Sequence, residues 1–316
     1  MLETFLATLS PMLTMFILMV LGFVAKKLNL VPDNTAVVLS KLENNFFVPA
    51  LMINTFMRYC TVESLKENSG MILYSLIALA LAFVICQVLA PFFEKEDEYR
   101  RNVYKYIFIV GNFGFLGNAV ILELFGDATL YNYLLFTLFI QALVNTWGLS
   151  MMIPKTEGKT SFFSRLKTPV FGAILIGAAL GLSGLGREGV MPTFIAGAIS
   201  NCGSCMGPVA MILAGFVIGG YDLKKMVTNV KVYWVTFLRL LVLPVIILGF
   251  LYLLGAGEQA LIFALFVYAT PSGLNAVIFP TAYGGDPYTG AASAMVSSTV
   301  CVLTIPLLYS ILTILV

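Results

Sequence analysis

Apolar residues in this chain come in long blocks from end to end, separated by short polar stretches. Blocks long enough to cross roughly 30 Å of hydrocarbon cover about 4–25, 36–57, 71–93, 106–125 and 129–153. After the polar stretch 154–168, five more follow at about 169–186, 190–219, 228–254, 258–283 and 290–315. The pattern predicts an all-α membrane protein with ten transmembrane helices. Lys26 and Lys27 follow the first block and no basic residue precedes it. This is the reverse of a cleavable signal peptide, so the block is expected to remain in place.

The polar stretches sort by charge. Lys26, Lys27, Lys95, Arg100, Arg101, Lys105, Lys155, Lys159, Arg165, Lys167, Lys224 and Lys225 fall on one set of alternate loops; Arg58, Lys66 and Arg187 fall on the other. Because basic loops are retained on the cytoplasmic side, both termini are expected outside, with the protein multi-pass in the cell membrane.

Composition agrees with the pattern. Hydrophobic residues make up 59% and charged residues 11%, against about 25% charged in soluble domains, so lipid rather than water is the main solvent. The net charge of +2, with no basic cluster interleaved with aromatics, argues against a nucleic-acid partner. Histidine is absent, which removes histidine triads, histidine metal ligands and histidine proton relays. No phosphate-binding loop is visible, so direct ATP coupling is not expected. Neither a metal nor another cofactor is implied.

Asn118-Ala119-Val120-Ile121 in the fourth block recurs as Asn275-Ala276-Val277-Ile278 in the ninth, 157 residues later in a chain of 316. An aromatic residue, glycine and aspartate follow each copy, and Pro49-Ala50-Leu51 is loosely echoed by Pro208-Val209-Ala210 at an offset of 159. An offset of half the chain is that of a duplication. Five blocks per half make the second half enter the membrane from the opposite side, giving an inverted repeat of the kind found in secondary transporters. Residues 1–153 would form the first repeat, 154–168 a short cytoplasmic linker and 169–316 the second repeat.

Gly111, Gly114 and Gly117 with Asn112 and Asn118 are poor material for a continuous helix. They suit unwound backbone lining a cavity, or small-residue packing between helices. In the ninth block Pro271 cannot donate a backbone hydrogen bond and forces a break. The unpaired N–H groups and the positive end of the following half-helix favour an anionic group, and asparagine amides both donate and accept. The candidate solute-binding residues are therefore Asn112, Gly114, Asn118, Pro271, Ser272 and Asn275, with Pro49 and Pro208 as helix-break or packing positions.

Gly111-Asn112-Phe113-Gly114-Phe115-Leu116-Gly117 ending in Leu124-Phe125-Gly126, and Pro271-Ser272-Gly273-Leu274-Asn275-Ala276, resemble the fourth-span and ninth-span patterns of the auxin efflux carrier family, including its bacterial members. Pro49 and Pro208 with the residues after them resemble its second and seventh spans. The resemblance implies ten helices in two inverted five-helix repeats, with broken helices four and nine crossing at the centre. The same general architecture occurs in bile acid sodium symporters. Two features depart from the family. Ala119 stands where many relatives have proline, and residues 154–168 replace the long hydrophilic loop of plant members.

Charged residues inside the blocks form a second group of candidates. Arg239 sits mid-block, where a charge costs roughly 2.5–3.5 kcal/mol without a partner. Three readings are open: an ion pair with Glu43 or Glu123, contact with an anionic solute, or a side chain that snorkels to the interface. Glu43 and Glu123 are the carboxylates available for proton coupling. Cys202-Gly203-Ser204-Cys205 has the spacing of a thiol redox pair, but no second pair is present to relay electrons.

Taken together, the sequence is that of a non-enzymatic secondary transporter of a small organic anion or weak acid such as a carboxylate, working by alternating access. The resemblance points the same way, since relatives move auxin or small carboxylates such as malate. Proton or sodium coupling and a homodimer are both compatible with this reading. A sodium-coupled symporter of the bile acid type and a transporter-like channel or sensor are the alternatives.

Overall fold

The computed structural model describes residues 1–152, 168–186, 189–283 and 285–316. Eleven helices serve to place the site: α1 (Leu2–Lys27), α2 (Thr35–Tyr59), α3 (Ser69–Phe93), α4 (Glu98–Ile109), α5 (Phe113–Met152), α6 (Pro169–Ser183), α7 (Thr193–Gly219), α8 (Val230–Leu253), α9 (Glu258–Tyr268), α10 (Asn275–Tyr283) and α11 (Tyr288–Leu315). Among the described residues no strand forms, and seven helices are long and apolar enough to cross a membrane: α1, α2, α3, α5, α7, α8 and α11.

α6 and α9 are apolar but shorter. The sequence explains the length of α6. Thr168 caps its start by accepting from the Phe171 N–H at 3.4 Å, Pro169 occupies the first turn, and Gly184 at φ 75° ends it in the left-handed conformation. Apart from Thr168, the linker expected at 154–168 lies outside the described residues.

Proline and glycine reshape several helices at identifiable points. Pro49 cannot donate to the Asn45 carbonyl, and Pro244 cannot donate to that of Leu240. Each is preceded by a widened π-type turn, Glu43–Phe47 in α2 and Leu238–Val242 in α8. α5 turns back at Gly126, whose φ of 79° and ψ of −179° interrupt the helix and separate the fourth apolar block from the fifth.

Packing is closest where glycines replace side chains. α1 lies along α7, and a Cβ on Gly215 would sit 1.7 Å from the Met19 carbonyl oxygen. α6 and the first part of α7 cover α2, with Gly177 against Ile53 and Phe56 and Gly203 against Leu51. Leu175, Phe194 and Leu253 are more than 70% exposed on the outer faces, which suits lipid contact rather than water.

Candidate functional site

The fourth and ninth apolar blocks are each broken in mid-course, and the two breaks meet. α4 ends at Ile109 and the chain is extended at Val110; α9 ends at Tyr268 and helix resumes at Asn275. The Asn112 N–H donates to the Pro271 carbonyl at 2.8 Å and the Gly273 N–H donates to the Val110 carbonyl at 3.2 Å, so Gly111 and Ser272 face each other as an antiparallel pair. This short ladder satisfies backbone groups that a broken helix would leave bare at membrane depth. Glycine at 273 eases the approach, because a Cβ there would lie a tight 3.0 Å from the Gly111 carbonyl oxygen.

Buried neighbours brace the crossing. The Ser297 hydroxyl accepts from the Ser272 N–H at 3.0 Å. The Tyr133 hydroxyl lies 3.2 Å from the carbonyls of both Phe113 and Phe266, and only a glycine at 117 lets it approach. Ala119, at the proline position of many relatives, packs its Cβ against Gly207 of α7.

A cavity of about 60 Å³ opens beside the crossing. Its wall carries the side-chain amides of Asn44, Asn112, Asn118, Gln141 and Asn275, together with Gly111, Gly114, Gly273 and apolar Met52, Val144 and Val170. At roughly 15 Å³ per water the space accepts about four waters, or one carboxylate group with little to spare. Asn112 and Asn118 are buried, and Asn118 Oδ1 is without a hydrogen-bond partner. The two copies of Asn-Ala-Val-Ile take equivalent places: Asn118 opens the regular helix after the widened turn Phe113–Gly117, and Asn275 opens α10. Asn112 and Pro271 also line a second cavity of about 20 Å³, walled by Met12, Met15 and Met19. The crossing thus separates an amide-lined space from a methionine-lined one.

The candidate residues divide accordingly. Asn112, Gly114, Asn118 and Asn275 share the amide-lined wall. Pro271 and Ser272 form the ladder, and Ser272 is buried with its hydroxyl unpartnered. Pro49 is buried in α2 behind its widened turn, whereas Pro208 is exposed on α7. Gln141 and Asn44 complete the amide set. Each is an amide inside an apolar block, a signal that the sequence offers but does not distinguish from Asn132 or Asn145.

Among the charged candidates the structure corrects the ion-pair reading of Arg239. Its side chain is fully buried and pairs with neither Glu43 nor Glu123. Instead Nε donates to the Thr270 carbonyl at 3.3 Å, Nη2 to Val267 at 3.5 Å and Nη1 to Phe108. Arg239 is also absent from the wall of the amide-lined cavity, so direct contact with a solute there is not what buries it. Glu43 is fully buried with both carboxyl oxygens unpartnered, one residue before Asn44, while Glu123 is exposed. Cys202 and Cys205 are free thiols.

A larger cavity of about 570 Å³ lies where the basic loops gather, lined by Lys26, Asp33, Lys41, Phe216, Tyr221 and the α10 residues Val277, Ile278 and Thr281. Lys26 pairs with Asp33, and this hydrogen bond and charge hold the Asp33 carboxyl below the usual carboxylate range. Lys27 donates to the Tyr221 carbonyl at 3.1 Å, and Arg100 lies 3.8 Å from Asp286. With the cavity lining, these contacts bring the end of α1, the start of α4 and the segments after α7 and α10 to one end of the molecule.

A family model described as membrane transport protein matches residues 7–164 and 158–309, nearly the whole chain. Comparison with curated proteins finds no match.

Proposed function

Since the chain belongs to the membrane transport protein family, that of the auxin efflux carriers, we propose that this membrane transporter is a secondary carrier of a small organic anion or weak acid such as a carboxylate, bound at the crossing of the two broken segments. The observation that carries this reading is the amide-lined cavity at that crossing. The side-chain amides of Asn112, Asn118, Gln141 and Asn275, beside the starts of two helical segments, can donate to a carboxylate, and each helix start adds partial positive charge. A cavity of about 60 Å³ is far smaller than the roughly 300–1,000 Å³ of drug-sized sites, which favours a compact solute or one held by its charged end.

The arrangement we assign is ten spans in two inverted repeats, 1–153 and 169–316, joined by 154–168 and working by alternating access in the cell membrane. The matching places of Asn118 and Asn275 support the repeat. Gathering of the basic loops at one end supports a cytoplasmic face there and both termini outside. The cavity of about 570 Å³ at that end would be the cytoplasmic vestibule, with Lys41 drawing anions toward α10.

A panel of mono- and dicarboxylates, with matched neutral amides and amines, tests the proposal by thermal shift on the purified chain. A solute at 100 times its dissociation constant adds about 2.7 kcal/mol of stability, so one or more carboxylates should raise the melting temperature by several degrees and their amides should not. Stabilisation by amines alone would sink the anion reading.

A further inference from the structure

We infer that Arg239 is a resident cation of the crossing: its guanidinium occupies the place between the two half-helix ends where a coupling metal ion would otherwise be coordinated, so the site holds its solute without bound sodium. The inference rests on reading the crossing as the transport site.

Helix C-termini carry partial negative charge on carbonyls without intrahelical donors. In transporters with discontinuous helices, such ends and the unwound carbonyls beside them coordinate sodium or take up a proton. Here α4 and α9 both end at the crossing. Arg239 donates to Phe108 in the last turn of α4, to Val267 in the last turn of α9 and to Thr270 just beyond it. One planar cation therefore bridges both negative ends, and the three acceptors hold it fully buried without an acid.

Two further features build this seat. A Cβ on Gly111 would fall 2.0 Å from Arg239 Nη2 and 2.3 Å from Thr270 Oγ1, so the cation reaches its acceptors only past a glycine. Arg239 also lies within the widened turn Leu238–Val242, a local form often found at functional sites. Gly111 lines the amide cavity on its other side. The guanidinium thus stands one residue behind the wall, and in a low-dielectric interior its field favours an anion there without touching it. Arg239 is a positioning residue, and the negative ends that would call for a metal ion are already neutralised.

The test uses the purified full chain without any solute, so that its outcome is independent of the carboxylate panel. Melting temperatures are compared in sodium chloride and in choline chloride at equal ionic strength. The wild type is expected to melt within about 1 °C in the two salts. Arg239→Ala is expected to melt about 5 °C lower or more, and sub-denaturing guanidinium or sodium should restore part of the loss where choline does not. Exposed Arg58→Ala should show neither effect. Arg239→Lys keeps the charge with fewer donors and should fall between, which keeps the test decisive should the alanine variant not fold. A wild type stabilised by sodium over choline overturns the inference. So does an Arg239→Ala loss that no cation relieves, or an Arg239→Lys that melts as low as alanine.

Discussion

Asn275→Ala is expected to weaken solute binding and uptake by tenfold or more while leaving the melting temperature within about 2 °C of wild type. Hydrogen bonds to a charged group contribute about 1.5–3 kcal/mol, and each 1.4 kcal/mol is a factor of ten. Asn275 is only half-buried and opens α10 beside the cavity, with the buried Tyr106 hydroxyl as its polar neighbour, so the fold loses at most that one polar contact when its amide is removed. Asn118→Ala should weaken binding similarly, because the two residues occupy matching places. It should cost the fold no hydrogen bond at Oδ1, which has no partner within the protein. Wild-type affinity in both variants would mean that the glycines and asparagines of the breaks serve packing alone.

The largest effect on folding is expected from Gly215→Leu. α1 and α7 touch backbone to backbone: a Cβ at Gly215 would lie 1.7 Å from the Met19 carbonyl oxygen, and one at Gly22 would lie 1.9 Å from that of Ile212. Gly219, four residues on, would meet Lys26 at 2.9 Å, so small residues form a stripe along the contact. No rotamer of leucine avoids a clash made by its Cβ, and the helices must separate. Core overpacking typically costs 1–3 kcal/mol; a backbone clash along a whole helix pair should exceed about 3 kcal/mol. Monodisperse yield after detergent extraction should fall severalfold. Gly172→Leu supplies the comparison, since a Cβ there meets nothing within 4 Å, and its yield should match wild type. Equal yields for the two variants would contradict the close packing of α1 on α7.

Much of this architecture is legible in the sequence because its causes are local. Apolar blocks mark helices, Pro271 marks a break, and the glycines around Asn112 mark another. The recurrence of Asn-Ala-Val-Ile pairs the two before any contact is seen. What the sequence conceals depends on groups that carry no residue identity. The partners of Arg239 are three backbone carbonyls, which any position could offer, so a search for a counter-charge turns naturally to the acids. Glu43 and Glu123 look alike in sequence, each a single acid in an apolar block, yet one is fully buried and the other exposed. Their difference is set by which helices cover them. Gln141 reaches the cavity because α5 turns back at Gly126 and returns past its own first turn, a consequence of one glycine's φ that no apolar periodicity announces.

In the proposed function a small organic anion crosses the membrane by way of the amide-lined crossing. Uptake of radiolabelled carboxylates into proteoliposomes containing the wild-type chain, with the neutral amides of the same acids as competitors, tests it most directly. Saturable uptake of at least one carboxylate, competed by other carboxylates, unaffected by their amides and weakened tenfold or more in Asn275→Ala, is the predicted result. Uptake that is equal in Asn275→Ala, or that amides and amines compete for as well as acids do, would contradict it.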